Sequence, residues 1–232
     1  LTEAAIRGGE MLKFGGDALL FLFRGEEHAA RACRSAVDMR QALKEAAKIP
    51  TSVGRLKLSM SVGIHSGPVD FFLVGSPTRE LLILGDAGTA TTEAEHAAVA
   101  GEILVTEGTA SQLAPGSTEL RDDGLHLLKW RFTYAPEGQG PPTPEVSDER
   151  LRTLFPHALG EYLADRVPDP EHKIATIGFA RFSGTDAMLR SEGHEAVARV
   201  LHETLTVFEE AMIPEGITLL ATDIDSDGGK LF

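Results

Sequence analysis

Short apolar runs broken by glycine turns alternate with longer mixed stretches along the first half of the chain. Residues 11–14 and 18–23 are apolar and flank Gly15, Gly16 and Asp17, which predicts a β-hairpin. Residues 26–48 are rich in Ala, Arg, Glu and Gln and carry Cys33, Val37 and Leu43 near helical spacing. They predict an amphipathic helix ended by Pro50. Leu56, Leu58, Met60, Val62 and Ile64 alternate with Lys57, Ser59, Ser61 and Gly63, the pattern of a half-buried strand. Two further strands are expected at 71–74 and 81–84 around Gly75, Ser76 and Pro77. A helix at 89–100, a strand at 102–106 and a short helix at 107–113 follow. This alternation favours an α/β sandwich with helices packed on a mixed sheet.

From 134 the chain turns Pro- and Gly-rich, which reads as a linker that cannot hold a core. A helical connector is expected at 151–166. A new unit then opens with a strand at 174–182, a turn at Ser183 and Gly184, and a long helix over 186–211. A strand at 217–222 runs into Asp223, Asp225, Asp227, Gly228 and Gly229. Residues 11–23 and 219–232 each place an acidic, Gly-rich turn between apolar strands, so the second half reads as the start of another copy of the first. The pattern thus predicts a first domain over 1–133, a linker and connector over 134–171, and the opening of a second domain over 172–232. It also predicts a chain cut inside a domain at both ends.

Composition narrows the function classes. Hydrophobic content of 42% and charged content of 25% suit a globular protein. The net charge of -13 argues against nucleic-acid binding, which needs Lys and Arg on phosphates. No apolar run is long enough to span a membrane. The single cysteine, Cys33, excludes an intrachain disulfide and fits a cytoplasmic setting. Cys33 reads as a helix-core residue, His65 as a structural histidine on a strand edge, and Trp130 as an anchor under the linker. Asp223, Asp225 and Asp227 lack the remaining ligands of a calcium loop and read as a solvated turn.

Several segments taken together carry a resemblance. Lys13-Phe14-Gly15-Gly16-Asp17-Ala18 resembles the Lys-Phe-x-Gly-Asp-Ala hairpin of class III adenylyl and guanylyl cyclases. Val62-Gly63-Ile64-His65-Ser66-Gly67 is similar to a second motif of that family. So are Leu84-Gly85-Asp86-Ala87 and Gly101-Glu102-Ile103-Leu104-Val105. In the second unit, Phe179-Ala180-Arg181-Phe182-Ser183-Gly184 is similar to the family's first strand, Phe-x-Asp-Ile-Ser-Gly. The resemblance implies the ferredoxin-like class III nucleotidyl cyclase fold in a tandem, two-cyclase-domain protein. It also implies conversion of ATP or GTP to a 3′,5′-cyclic nucleotide with release of pyrophosphate. Mg²⁺ or Mn²⁺ would be held by two aspartates at the interface of paired cyclase domains, within the chain or in a dimer. By this resemblance Asp17 is one metal aspartate and Lys13 reads the purine.

Other positions depart from the family pattern. Thr89 and Glu93 stand where the family has a catalytic Asn and Arg, so no catalytic residue of that kind is present. The second purine-reading position is Leu82, which offers no hydrogen bond. In the second unit Arg181 replaces the first metal aspartate, and Asp227 aligns with the second as a weak metal candidate. These departures motivate an alternative, a degenerate cyclase-like module that regulates or dimerises a larger signalling protein.

Overall fold

The computed structural model describes residues 1–15, 18–46, 50–52, 54–55, 58–134, 138, 144–156 and 174–232. It divides into two compact units. One comprises Leu1–Pro68 with Ala90–Pro142, the other Val69–Thr89 with Thr143–Phe232.

The first unit opens with a short helix α1 (Thr2–Ala5) and the hairpin β1 (Gly9–Gly15) and β2 (Ala18–Phe23). Gly15 pairs with Ala18, and the register slips between Met11 and Lys13. Helix α2 (His28–Ala46) follows, as the spacing of its apolar residues predicts. Short strands β3 (Pro50–Thr51) and β4 (Gly54–Arg55) pair with each other. The unit's sheet is completed by residues further along: β5 (Val62–Ile64), β8 (Ile103–Val105), β9 (Thr118–Leu120) and β10 (His126–Leu128), in the order β5-β8-β10-β9. β5 runs parallel to β8, whereas β10 is antiparallel to both β8 and β9, so the sheet is mixed. Ala29, Cys33 and Ala36 of α2 pack with Ile64, Ile103, Val105 and Leu128 of the sheet. Removing that apolar surface from water is the unit's main source of stability.

Two helices serve the same sheet. α4 (Glu107–Ala110) follows β8. α3 (Asp86–Ala97) contributes its residues from Ala90 onward. At Gly63 a side chain would lie 2.3 Å from the Glu95 amide nitrogen and 2.6 Å from the Thr91 carbonyl oxygen. Only glycine permits β5 to approach α3 so closely.

The second unit contains the antiparallel pair β6 (Asp70–Val74) and β7 (Glu80–Leu84) and the start of α3. A short helix α5 (Asp148–Arg152) is capped by Ser147, whose hydroxyl accepts from the Arg150 amide. β11 (Ala180–Ser183), α6 (Thr185–Glu192), α7 (His194–Met212), β12 (Thr222–Asp225) and β13 (Gly228–Leu231) complete it. The three strands form a sheet in the order β11-β13-β12. Phe72, Leu82, Leu84, Val197, Leu201, Leu205 and Leu231 make this unit's core. Buried carboxylates pin the hairpin into it. Glu80 accepts from the Thr222 amide at 3.1 Å and hydroxyl at 2.8 Å, and Glu209 accepts from the Thr78 amide at 3.0 Å.

Several expected elements differ in extent. The strand expected over 56–64 is confined to Val62–Ile64, because its partner β8 is itself three residues long; residues 56 and 57 lie outside the described set. The strand expected over 174–182 begins only at Ala180, where pairing with β13 starts, and Ile174, Ile177 and Phe179 are exposed. The strand expected over 217–222 is displaced to Thr222–Asp225. The long helix expected over 186–211 is two helices, broken at Gly193 with φ 81° and ψ 178°. Of the connector expected over 151–166, α5 covers only its beginning, and residues 157–173 lie outside the described set. The pattern gave no warning of β9, β10 or α1. Trp130 was expected as an anchor under the linker, most of which lies outside the described residues. It is 58% exposed, with the Arg40 guanidinium 3.9 Å and the Lys44 ammonium 3.6 Å from its ring centre.

Candidate functional site

In the first unit, Lys13 lies on β1 opposite Leu20, half-buried, one step after the register slip. A slip of this kind turns a strand locally and re-aims the side chains that follow it. Its neighbour Phe14 is 66% exposed. Gly16 and Asp17 fall between the paired Gly15 and Ala18 in sequence and lie outside the described residues. Glu93 is exposed on α3.

The segment after β5 is held by side-chain bonds. His65 Nδ1 lies 3.0 Å from Thr106 Oγ1, and burial lowers the imidazole's pKa, keeping it neutral. The Thr109 hydroxyl lies 3.0 Å from Ser66 Oγ and 3.3 Å from the Ile64 carbonyl. The bond to Thr106 ties His65 to the residue that precedes α4. Cys33 is fully buried, and burial pushes its thiol up to about 12. Such a thiol is not a nucleophile.

In the second unit, Thr89 and Asp227 meet, although the sequence reading assigns them to different domains. The Asp227 amide donates to Thr89 Oγ1 at 2.7 Å, and that hydroxyl donates to Asp186 Oδ2 at 2.7 Å. Asp227 sits in the turn between β12 and β13 with φ 57°. Its Oδ2 accepts from the Gly184 amide at 3.0 Å and its Oδ1 from the Asp186 amide at 3.1 Å. The carboxylate thus satisfies amides that the first turn of α6 leaves without helical partners, and its charge suits that end of the helix dipole.

Leu82, which the resemblance aligns with the second purine-reading position, is 1% exposed, belongs to the unit's core and lines a cavity with Phe182, Met188 and Leu201. Arg181 donates to Asp225, Nε to Oδ2 at 2.8 Å, and Lys230 Nζ lies 3.5 Å from the same oxygen. Burial alone would raise the Asp225 carboxyl. The Ser226 amide and the charges of Lys230 and Arg181 outweigh it and hold the group below the usual carboxylate range.

Among the described residues, no group of three His, Cys, Asp or Glu side chains is placed to hold a metal ion. In the second unit the donor set does not fit one: both Asp227 oxygens serve amides, and Asp225 faces a guanidinium and an ammonium. Sequence reasoning missed Asp186 and Glu80. Asp186 is 6% exposed, and its Oδ1 has no partner among the described residues. The only signal for Asp186 was its place just after Gly184 at a helix start. Glu80, between Arg79 and the apolar run at 81–84, gave none.

Comparison with known proteins assigns a family on the strength of the first part of the chain. Residues 7–137, more than half of the chain, match the sequence model of the adenylate and guanylate cyclase catalytic domain. Among solved structures, the guanylyl cyclase Cya2 aligns at 22% identity over 55% of this chain and 73% of its own, with a TM-score of 0.47. The monomeric guanylyl cyclase domain of the RhoGC fusion protein from the aquatic fungus Blastocladiella emersonii aligns at 25% identity over 55% and 72%, with a TM-score of 0.45. The guanylate cyclase domain of RhGC from Catenaria anguillulae, in complex with GTP, aligns at 24% over 54% and 73%, with a TM-score of 0.46. A search of curated proteins finds no match.

Proposed function

The chain belongs to the adenylate and guanylate cyclase catalytic domain family, and we propose that it forms part of a nucleotidyl cyclase acting on ATP or GTP. The observation that carries this reading is the family match over residues 7–137. In the reaction, the 3′-hydroxyl oxygen of a purine nucleoside triphosphate attacks its own α-phosphorus. The bond to the bridging oxygen breaks, pyrophosphate leaves with the electron pair, and the hydroxyl proton is lost to a base or water.

Lys13 takes the role of purine reader. Its ammonium donates to acceptors on the base edge, and the paired strands of the hairpin fix where it can reach. Asp17, in the sequence gap between Gly15 and Ala18, is assigned to Mg²⁺ or Mn²⁺. When bound, such an ion neutralises the triphosphate and lowers the pKa of the attacking hydroxyl. Thr89 and Glu93 carry no positive charge, and the Thr89 hydroxyl is engaged with Asp186 and Asp227. A cationic group that stabilises charge on the transferring phosphate therefore comes from a paired cyclase domain.

The second unit supplies support for a tandem arrangement. Its β12–β13 hairpin pairs Asp225 with Gly228, so Asp227 is the second of two intervening residues, as Asp17 is between Gly15 and Ala18. We assign it to a second cyclase-type copy. A cytoplasmic location is part of the proposal, since ATP and GTP are made available there. No helix among the described residues is long and apolar enough to cross a membrane.

The test is an assay of the full-length protein carrying this chain, with ATP or GTP and manganese, read by chromatography of the cyclic product. The reading expects one of the two substrates to be cyclised. Folded protein that makes no cyclic nucleotide from either would overturn it.

A further inference from the structure

The turn at 223–227 poses a charge problem. Asp223, Asp225 and Asp227 lie within five residues, Asp225 is 6% exposed, and Asp227 is tied into the first turn of α6. Three carboxylates held so close repel one another, and a buried one is costly unless a cation stands beside it. Proteins meet that need with a paired side-chain cation or with a bound metal ion. Here the strand order supplies a cation from the chain. Antiparallel pairing sets Arg181 of β11 opposite Lys230 of β13, and Lys230 opposite Asp223 of β12.

Arg181 then makes two contacts with the turn. Its Nε lies 2.8 Å from Asp225 Oδ2, and its Nη2 donates to the Ser226 carbonyl at 3.3 Å. A carboxylate and a backbone carbonyl of one turn are the donors a hard cation would take, and the guanidinium holds both. Lys230 Nζ adds a second positive charge 3.5 Å from the same carboxylate oxygen. Asp225 also accepts from the Ser226 amide at 2.9 Å, and Asp223 from the Ile224 amide at 2.9 Å.

We propose that Arg181 is the resident cation of this turn, taking the place of a divalent ion, so that the second unit folds and docks Asp227 onto α6 without metal. This rests on the cyclase reading only in assigning manganese to Asp17, and it confines metal to the first unit. The β12–β13 turn becomes a permanent structural ion pair, and α6 keeps its first-turn amides on Asp227 rather than opening them to a phosphate.

The experiment is a manganese titration of the full-length protein, followed by electron paramagnetic resonance of free Mn²⁺, with thermal unfolding in parallel. Asp17→Asn should remove specific Mn²⁺ binding, while Asp227→Asn keeps the wild-type stoichiometry. Arg181→Ala should lower Tm by about 2–4 °C, and added Mn²⁺ should restore it, because the uncovered carboxylates then recruit the ion. Arg181→Lys should keep Tm near wild type without metal. A merely packing role for Arg181 would give no Mn²⁺-dependent recovery, and that result would overturn the proposal. So would Mn²⁺ binding that survives Asp17→Asn and disappears with Asp225→Asn. If neither wild type nor Asp17→Asn binds Mn²⁺, while Arg181→Ala gains binding, the assignment of Asp17 fails and the role of Arg181 stands.

Discussion

Lys13 shows how far one residue can be read from sequence. Its place before a Gly-Gly-Asp turn marked the hairpin, which the strand pairing bears out, and the family resemblance is the ground for proposing it as the purine reader. The slip between Met11 and Lys13 was not legible, because a bulge adds one residue without altering composition. Replacing Lys13 with Ala should remove a charged hydrogen bond worth about 1.5–3 kcal/mol. The expected outcome is a raised KM and weaker discrimination between ATP and GTP in steady-state assays.

His65 gives a pH prediction. Its folded pKa is lowered by burial, so the unfolded chain takes up the proton first as pH falls. Its contribution is fully present above the ordinary histidine value and is lost as pH drops through the folded value. Urea unfolding of wild type and His65→Gln between pH 7.5 and 5 should show a steeper acid loss in the wild type. Cys33, with its thiol pushed up to about 12, should resist iodoacetamide in the folded protein and react once the protein is denatured.

Elements were legible where one signal dominated. The spacing of Cys33, Val37 and Leu43 gave α2, and glycine-bounded apolar runs gave the β1–β2 and β6–β7 hairpins. Strand ends were not legible at 56–64 or 174–182. An alternating or apolar run can continue past the point where a partner strand stops, and pairing is what makes a strand. The break at Gly193 was missed because a single glycine inside a helical pattern is usually tolerated. At φ 81° and ψ 178° it is not interchangeable with Ala. Gly193→Ala should cost about 1–3 kcal/mol, seen as a lower urea midpoint with little change in slope. Gly63→Ala should cost about 1–3 kcal/mol by pushing β5 from α3, where the new methyl would lie 2.3 Å from the Glu95 amide nitrogen.

At the scale of the molecule, the family and the mixed α/β class were legible in the order of the motifs. The compact units were not, because residues 69–89 gather with residues 143–232 rather than with their sequence neighbours. Apolar packing of Phe72, Leu82 and Leu84 on Val197, Leu201 and Leu205 holds them together, and hydrogen bonds add to it: Glu80 with Thr222, Thr78 with Glu209, and Thr89 with Asp186 and Asp227. Hydrogen bonds of that kind depend on three-dimensional placement and leave no periodic trace in the chain. Thr89, which the resemblance aligns with a family Asn, takes part in these contacts. Its hydroxyl ties two segments of the unit together.

The central claim, that this chain supplies the metal-binding half of a nucleotidyl cyclase site, rests on Asp17. The most direct measurement is cyclic nucleotide synthesis from ATP and GTP with manganese, by the full-length protein and its Asp17→Ala variant, both shown to be folded by circular dichroism. The account predicts product from the wild type and a loss of at least about a hundredfold in the variant. Equal rates of synthesis by the two proteins would contradict it.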